Sequence, residues 1–180
     1  MIKIIVGIIG DRGSGKTLYM VKEALTNYKR NRKVVSNFHL NFPVLKGCSQ
    51  PELLNMSFIT DFKKQLHNIC LLIDEIYIYI DSRNSASKQN RIWSYFFNQT
   101  RKRDVDLYYS TQFFHQVDKR LRSNTELFIF PSKIIKDDVM YIKIKVCKRN
   151  MQPIKIFAFK GSDYFPFYDT DEIIDLEIEK

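Results

Sequence analysis

The sequence predicts an α/β fold, a mainly parallel sheet flanked by helices with an antiparallel hairpin toward its C-terminal end. Three observations carry this. Short, β-branched apolar runs alternate with segments whose apolar residues recur at helical spacing, the pattern of a parallel sheet with right-handed crossovers. A glycine-rich octapeptide, GDRGSGKT at 10–17, stands between the first such run and the first helical segment. Beyond Pro131 the pattern changes to alternation, with lysines on one face.

Taken in order, Ile2 to Ile9 is a nearly continuous β-branched run and suits a strand buried on both faces. Lys16 to about Arg30 reads as a helix, with Leu18, Val21, Ala24, Leu25 and Tyr28 on one stripe. Lys29, Arg30 and Arg32 stand at the end where cations suit the helix dipole. Lys33 to Phe38 reads as a second strand, and Pro43, Gly47 and Pro51 break up the irregular stretch after it. A short helix is expected near 61–67 and a third, buried strand from Ile69 to Glu75. The polar segment Asp81 to Asn90 is the candidate for a mobile loop. It leads into a helix over about 88–102 with Ile92, Trp93, Phe96 and Phe97 as its buried stripe. Val105 to Thr111 gives a fourth strand, 115–122 a short helix, and Glu126 to Phe130 a fifth strand closed by Pro131. Val139 to Cys147 and Ile154 to Lys160, joined by a turn over Lys148 to Pro153, form the hairpin at the sheet edge, where their lysines guard against pairing. There is no internal repeat.

The chain has 180 residues, which suits one domain, with a core over 1–131 and the hairpin and an acidic tail over 132–180. Hydrophobic residues make up 44% and charged residues 27%, the balance of a globular protein. No apolar run approaches the roughly 20 residues that span a bilayer, and no signal-peptide pattern opens the chain, so a cytoplasmic location is expected. Cys48, Cys70 and Cys147 share no CxxC spacing, and His39, His67 and His115 are scattered; free thiols and no structural metal are expected. The net charge is +9, and residues 163–180 carry seven acids against one lysine, a sum of −6, which leaves +15 on residues 1–162. A body this basic attracts polyanions, nucleic acid foremost. The alternative is that the charge only maintains solubility. Arg83 and Lys88 of the polar segment and Lys143 and Lys145 of the hairpin are the candidate phosphate contacts.

The octapeptide matches GxxxxGK[ST], which arises by chance in a chain this long with a probability on the order of 1%. Here it also has the strand before it and the helix after it that a phosphate-binding loop requires. Gly10, Gly13 and Gly15 let the backbone curl so that its N–H groups face phosphates, with Asp11, Arg12 and Ser14 completing the loop. Lys16 is placed to reach the β and γ phosphates of ATP, and Thr17 to hold Mg²⁺ through its hydroxyl. The strand Ile69 to Glu75 ends in two carboxylates, and a parallel sheet presents its strand ends at the rim of the loop. Asp74 is the candidate for Mg²⁺ binding through water, and Glu75 the candidate general base. The fourth strand ends in Ser110-Thr111-Gln112, so Gln112 senses the γ phosphate or orients water, or else is a surface residue that merely caps the next helix. Adenylate-kinase-like transferases generally lack such an adjacent acid pair and often carry an arginine-rich lid, a feature missing from this sequence.

The GDRGSGKT loop, the LLIDE strand, the STQ and the VDKRLRSN segment, in this order and spacing, resemble the FtsK-HerA superfamily of P-loop ATPases, carrying Walker A and Walker B motifs. The SNFHLNFP segment after the second strand and the closing YFPFYDTDE are similar to viral genome-packaging ATPases, including those of archaeal viruses, and to Zot-type filamentous-phage assembly proteins. The resemblance implies a P-loop NTPase fold of the ASCE/RecA-like kind and an ATPase, converting ATP and water to ADP and phosphate, coupled to translocation of double-stranded DNA into a capsid. It implies a homo-oligomeric ring, a hexamer, in which a neighbour supplies an arginine. Arg101 and Arg103 are the candidates, followed by Arg120 and Arg122. A capsid or membrane-associated virion protein is the implied partner, and the host cytoplasm the implied location. Zot-type proteins usually continue into a membrane-spanning segment that this sequence lacks, which favours packaging over extrusion. The alternatives are a Zot-like extrusion ATPase, a nucleotide-switched DNA-binding assembly protein, or a small-molecule kinase.

Overall fold

The computed structural model describes residues 4–61, 66–80, 83, 87–169, 171 and 172. Along the chain these form β1 (Ile5–Ile9), α1 (Lys16–Tyr28), β2 (Lys33–Ser36), β3 (Glu52–Leu53), α2 (Met56–Thr60), β4 (Ile69–Ile73), α3 (Lys88–Gln99), β5 (Val105–Thr111), α4 (Lys119–Asn124), β6 (Leu127–Lys136), β7 (Val139–Lys148) and β8 (Pro153–Lys160). The strands make one eight-stranded sheet in the order β3-β2-β4-β5-β1-β6-β7-β8. It is parallel from β3 to β6 and antiparallel through β6, β7 and β8.

Every residue of β1, β4 and β5 is buried; β1 and β4 read as unbroken apolar runs for this reason, whereas β5 also buries Asp106, Ser110 and Thr111. Alternate side chains enter two separate cores. Val6, Ile8, Cys70 and Leu72 pack with Leu18, Met20, Val21 and Tyr28 of α1 and with Ile142, Ile144 and Val146 of β7. Ile5, Leu71, Ile73, Leu107 and Tyr109 pack on the other face with Trp93, Phe96 and Phe97 of α3. Burying each of these large side chains contributes about 1.5–3 kcal/mol, so the central strands anchor whatever stands at their ends. Gly7 lies in register with Tyr109, and a Cβ there would sit 2.6 Å from the Tyr109 hydroxyl. That hydroxyl instead shares a 2.9 Å hydrogen bond with Thr125.

The register fixes the geometry of the rim. Ile9 pairs with Thr111 and Ile73 with Tyr109, so the segments after β1 and β4 and the last residue of β5 emerge side by side. At the opposite rim the buried Arg32 guanidinium ties α1 to the sheet. It pairs with Asp106 and donates to Asn27 Oδ1 at 2.9 Å and to the Ile69 carbonyl at 2.7 Å.

Several details differ from the sequence reading, and two expectations fall on residues outside those described. The short helix expected near 61–67 falls mainly on residues 62–65, which lie outside the described residues; upstream of them stands α2, capped by Asn55, which accepts from the Ser57 N–H at 2.8 Å. The helix expected at 115–122 begins at Lys119, where Asp118 accepts from Arg120 N–H at 2.8 Å, after a separate 3₁₀ turn over Phe114–Gln116. β6 continues through Pro131 to Lys136. Pro131 stands opposite Ile144, past Ile129, the last residue paired with β1, so its missing N–H falls where the ribbon has a partner on one side only. β7 lies between β6 and β8, so Lys143 and Lys145 guard no edge; β8 is the edge strand. Within the polar segment, residues 81, 82 and 84–86 lie outside the described residues, and Ser87 caps α3 by accepting from Asn90 N–H at 3.1 Å.

Candidate functional site

The loop between β1 and α1 curls through two glycines in the left-handed region, Gly13 at φ 71° and Gly15 at φ 97°. Gly15 is fixed twice over, since a Cβ there would also lie 2.7 Å from Ile142 Cδ1. The curl turns the first N–H groups of α1 toward the loop's interior, where an anion is favoured. Lys16 is buried, and its Nζ donates to the Gly10 carbonyl at 3.0 Å and the Asp11 carbonyl at 3.2 Å, which centres the cation over the loop. The Ser14 hydroxyl is buried without a hydrogen-bond partner among the described residues, whereas Asp11 and Arg12 are exposed on the outer side.

Asp74 arrives from β4 directly beneath this loop. Its Oδ2 accepts from the Thr17 hydroxyl at 2.8 Å, and its Oδ1 accepts from the Ser110 hydroxyl of β5. The backbone of Asp74 is held as firmly as its carboxylate. Asn37, just beyond β2, accepts from Asp74 N–H at 2.7 Å through Oδ1 and donates to the Asp74 carbonyl at 2.9 Å through Nδ2. The side-chain amide thus stands in for the next peptide of β2 and extends the ladder one step past Ser36.

Glu75 comes next in the left-handed region at φ 51°, a conformation costing on the order of 1–3 kcal/mol for a residue with a Cβ. Its N–H donates to Ser110 Oγ at 2.9 Å, which helps to hold the turn. The turn redirects the side chain, so that Glu75 Oε1 accepts from Gln112 Nε2 at 3.2 Å and lies 3.8 Å from Lys16 Nζ. Oε2 is buried with no partner among the described residues. Burial pushes the Glu75 carboxyl above its usual range; the Gln112 hydrogen bond opposes this, Asp74 reinforces it, and Lys16 and Arg12 oppose it more weakly. A half-desolvated carboxylate with one free oxygen has the properties of a proton acceptor.

These residues fit Mg²⁺. Thr17 and Asp74 already share an axis of oxygens, and among the described residues no group of three or more His, Cys, Asp or Glu makes an all-protein cage. A sparse oxygen set beside a phosphate loop suits an ion that keeps its waters and phosphate ligands.

The C-terminal segment crosses over the site. Phe165–Phe167 form a 3₁₀ turn, and Phe165 and Tyr168 line a cleft with Gly13, Gly15, Thr17 and Leu18. Burial, with the nearby Asp74 charge adding to it, pushes the Tyr168 hydroxyl up to about 12. A second cleft along the outer side of the loop is bordered by Gly10, Arg12, Ser14, Gln112 and Lys133.

The loop residues, Asp74, Glu75 and Gln112 therefore come together, as the sequence leads one to expect. The arginine candidates do not join them within one subunit. Arg101 and Arg103 lie between α3 and β5, at the opposite rim, where Arg103 donates to the Asp61 carbonyl at 3.0 Å and stacks 5.4 Å over Phe96. Arg120 pairs with Asp118 at 3.1 Å, and Arg122 stands 5.1 Å over the Phe114 ring. Arg83, Lys88, Lys143 and Lys145 are all exposed, the last two on the face of β7 away from α1. Sequence reasoning missed Asn37, Ser110, Phe165 and Tyr168. The only signal for Asn37 and Ser110 was a polar residue at the end of a buried strand.

A comparison with family profiles matches residues 1–136 to the family described as zonular occludens toxin, Zot. No curated protein matches the sequence. Among solved structures, the N-terminal domain of zonular occludens toxin from Neisseria meningitidis is similar at a TM-score of 0.64 and 20% identity, covering 94% of this chain and 100% of that one. The genome-packaging NTPase of Sulfolobus turreted icosahedral virus 2, in complex with ATP-γS, is similar at 0.59 and 15% identity, covering 86% of this chain and 96% of that one. The flagellar accessory protein FlaH of Methanocaldococcus jannaschii is similar at 0.56 and 13% identity, covering 87% of this chain and 84% of that one. At these identities the structural likenesses establish a shared P-loop fold. The family match extends over 136 of the chain's 180 residues, and the chain belongs to the Zot family.

Proposed function

We propose that this chain is an ATPase that converts ATP and water to ADP and phosphate and uses the energy to move double-stranded DNA during viral genome packaging. One observation carries the reading: Lys16, Thr17, Asp74, Glu75 and Gln112 converge from three strand ends on a single phosphate loop. Lys16 exchanges its two loop carbonyls for the β and γ phosphates and stabilises the charge that develops on them. Glu75 takes the proton of the attacking water on its unpartnered oxygen, and Gln112 holds the other oxygen in place. Asn37 and Ser110 fix Asp74 against displacement. Mg²⁺, held by Thr17 and through water by Asp74, would neutralise the phosphate oxygens. The motor is proposed to be a single domain over 1–180, working as a hexameric ring in the host cytoplasm. Arg101 or Arg103 would reach the neighbour's γ phosphate, which accords with their distance from their own subunit's loop. Arg83, Lys88, Lys143 and Lys145 would contact DNA phosphates.

Membership of the Zot family favours a second reading, a Zot-like ATPase that drives phage assembly or extrusion. Phosphate release measured with and without double-stranded DNA separates the two. Strong stimulation, together with binding that is independent of sequence and steeply salt-dependent, supports translocation. Turnover indifferent to DNA favours extrusion, and a salt-insensitive or sequence-specific affinity contradicts the translocase.

A further inference from the structure

The phosphate loop has two sides with different linings. The outer side is bordered by Asp11, Arg12, Ser14, Phe130 and Pro131 and by Gln112, which donates to the candidate base Glu75. The other side opens at Thr17 and Leu18 into a cleft of about 250 Å³, walled by Met140 and Ile142 of β7 and by Phe165 and Tyr168 of the C-terminal segment. A triphosphate lying along the loop with its reacting end at Glu75 must leave the loop at this second side. The group it carries there meets two aromatic rings, the aliphatic side chains of Met140 and Ile142, and Lys133. We propose that this cleft is the base-binding site of the nucleotide, with Phe165 and Tyr168 as its stacking surfaces. The proposal rests on the reading of the loop as a nucleotide site.

The rings are held in place by the segment around them. The Phe167 carbonyl accepts from Asn41 N–H at 2.8 Å, and the Phe167 ring meets Phe42 edge-on at 5.8 Å. Farther along, Glu172 accepts from His39 N–H at 2.8 Å and pairs with its ring nitrogen at 2.6 Å. At the near end Gly161 packs so closely on β7 that a Cβ would lie 2.4 Å from Met140 Cε, and Tyr164 meets Phe159 edge-on at 5.3 Å. The segment is thus pinned to β7 and β8 on one side and to the strand-end segment after β2 on the other, with Phe165 and Tyr168 between the pins. Tyr168 is half-buried, yet Phe165 remains 43% exposed while lining the cleft beside the loop. Fixed rings lose little entropy on stacking, so the site is preorganised for a flat, apolar ligand.

The test compares binding of Mg·ATP with binding of Mg·tripolyphosphate, which carries the phosphates without the base. The parent is expected to bind ATP at least about tenfold more tightly than tripolyphosphate, since aromatic stacking on a base commonly contributes this much. Phe165→Ala and Tyr168→Leu are each expected to weaken ATP binding severalfold with tripolyphosphate binding unchanged, and Phe165→Trp to restore it. ATP binding unaltered in both variants overturns the base site, as does a parent that binds the two ligands equally. A parent that binds neither ligand removes the nucleotide reading itself. Should the variants fold poorly, photolabelling of the parent with 8-azido-ATP gives the answer independently. Label on residues 140–142 or 165–168 supports the proposal, and label confined elsewhere overturns it.

Discussion

Thr17 and Asp74, 57 residues apart in the chain, are joined by a 2.8 Å hydrogen bond from the threonine hydroxyl to the carboxylate. One residue opens α1 and the other begins the turn out of β4, so the contact exists only because β1 and β4 flank β5 in the sheet. The bond brings together the two protein oxygens proposed to hold a phosphate-bound Mg²⁺.

Asp74 and Glu75 are adjacent, and the proposed mechanism gives them different tasks. Glu75→Gln is expected to bind ATP about as well as the parent and to hydrolyse it on the order of 10²-fold or more slowly, because an amide cannot accept the proton of water. Asp74→Asn is expected to weaken Mg²⁺-dependent binding instead. Binding titrations and single-turnover assays on both variants check this; parallel losses in the two would contradict the division of roles.

Glu75 also gives a pH signature. Its folded pKa is raised above the usual 4.5, mainly by burial, so the native state holds this proton across a window in which the unfolded chain has lost it. The stability linked to Glu75 is fully present below pH 4.5 and is lost as pH rises through the folded value. In the absence of nucleotide, Glu75→Gln should therefore be more stable than the parent at neutral pH, with the difference vanishing near pH 4. Urea unfolding at several pH values measures it; a constant difference would refute the assignment.

Asn37 forms two hydrogen bonds with the Asp74 backbone. Asn37→Ala leaves a buried N–H and carbonyl unpaired, which should cost on the order of 1–3 kcal/mol of stability. Because the loss falls on the turn that aims Asp74, the Mg²⁺ concentration needed for half-maximal turnover should also rise. A stability loss without any shift in Mg²⁺ dependence would mean that Asn37 only closes the sheet.

Arg101 and Arg103 lie at the rim opposite the loop, so a role for them at the reacting phosphate requires a second subunit. Replacing the operative arginine by alanine should spare ATP binding and lower turnover by roughly 10³ or more. Mixing inactive Lys16→Ala protein with inactive Arg101→Ala,Arg103→Ala protein should recover part of the activity, because some interfaces then join an intact loop to an intact arginine. Activity that stays absent despite co-assembly would contradict the shared site.

The features legible in the sequence were those with a local signature. β1, the loop and α1 were readable because a buried parallel strand, a glycine spacing and a helical stripe each have their own pattern, β4 because both faces are apolar, and β5 because its Val105-Leu107-Tyr109 face is apolar although the other carries Asp106 and Ser110. β3 was not readable, since Glu52 and Leu53 are exposed and form only two residues of ladder. Pro131 misled because a proline normally ends a strand, and only the width of β1 decides where β6 can tolerate one. The largest gap lay in contacts made by strand order. Asn37 and Ser110 reach Asp74 because β2 and β5 flank β4, and Phe165 and Tyr168 reach the loop because the chain returns across α1 after β8. No spacing within the sequence encodes those distances.

The central claim, hydrolysis of ATP at the GDRGSGKT loop, is tested most directly by phosphate release from ATP with Mg²⁺ and double-stranded DNA, measured on the parent and on Lys16→Ala. Lys16 contacts loop carbonyls and Glu75 and fills no core, so the variant should keep the parent's circular dichroism and melting behaviour. The account predicts steady turnover by the parent and release at background level from the folded variant. Near-parental turnover by folded Lys16→Ala, or no release from a parent shown to be folded and assembled, would contradict it.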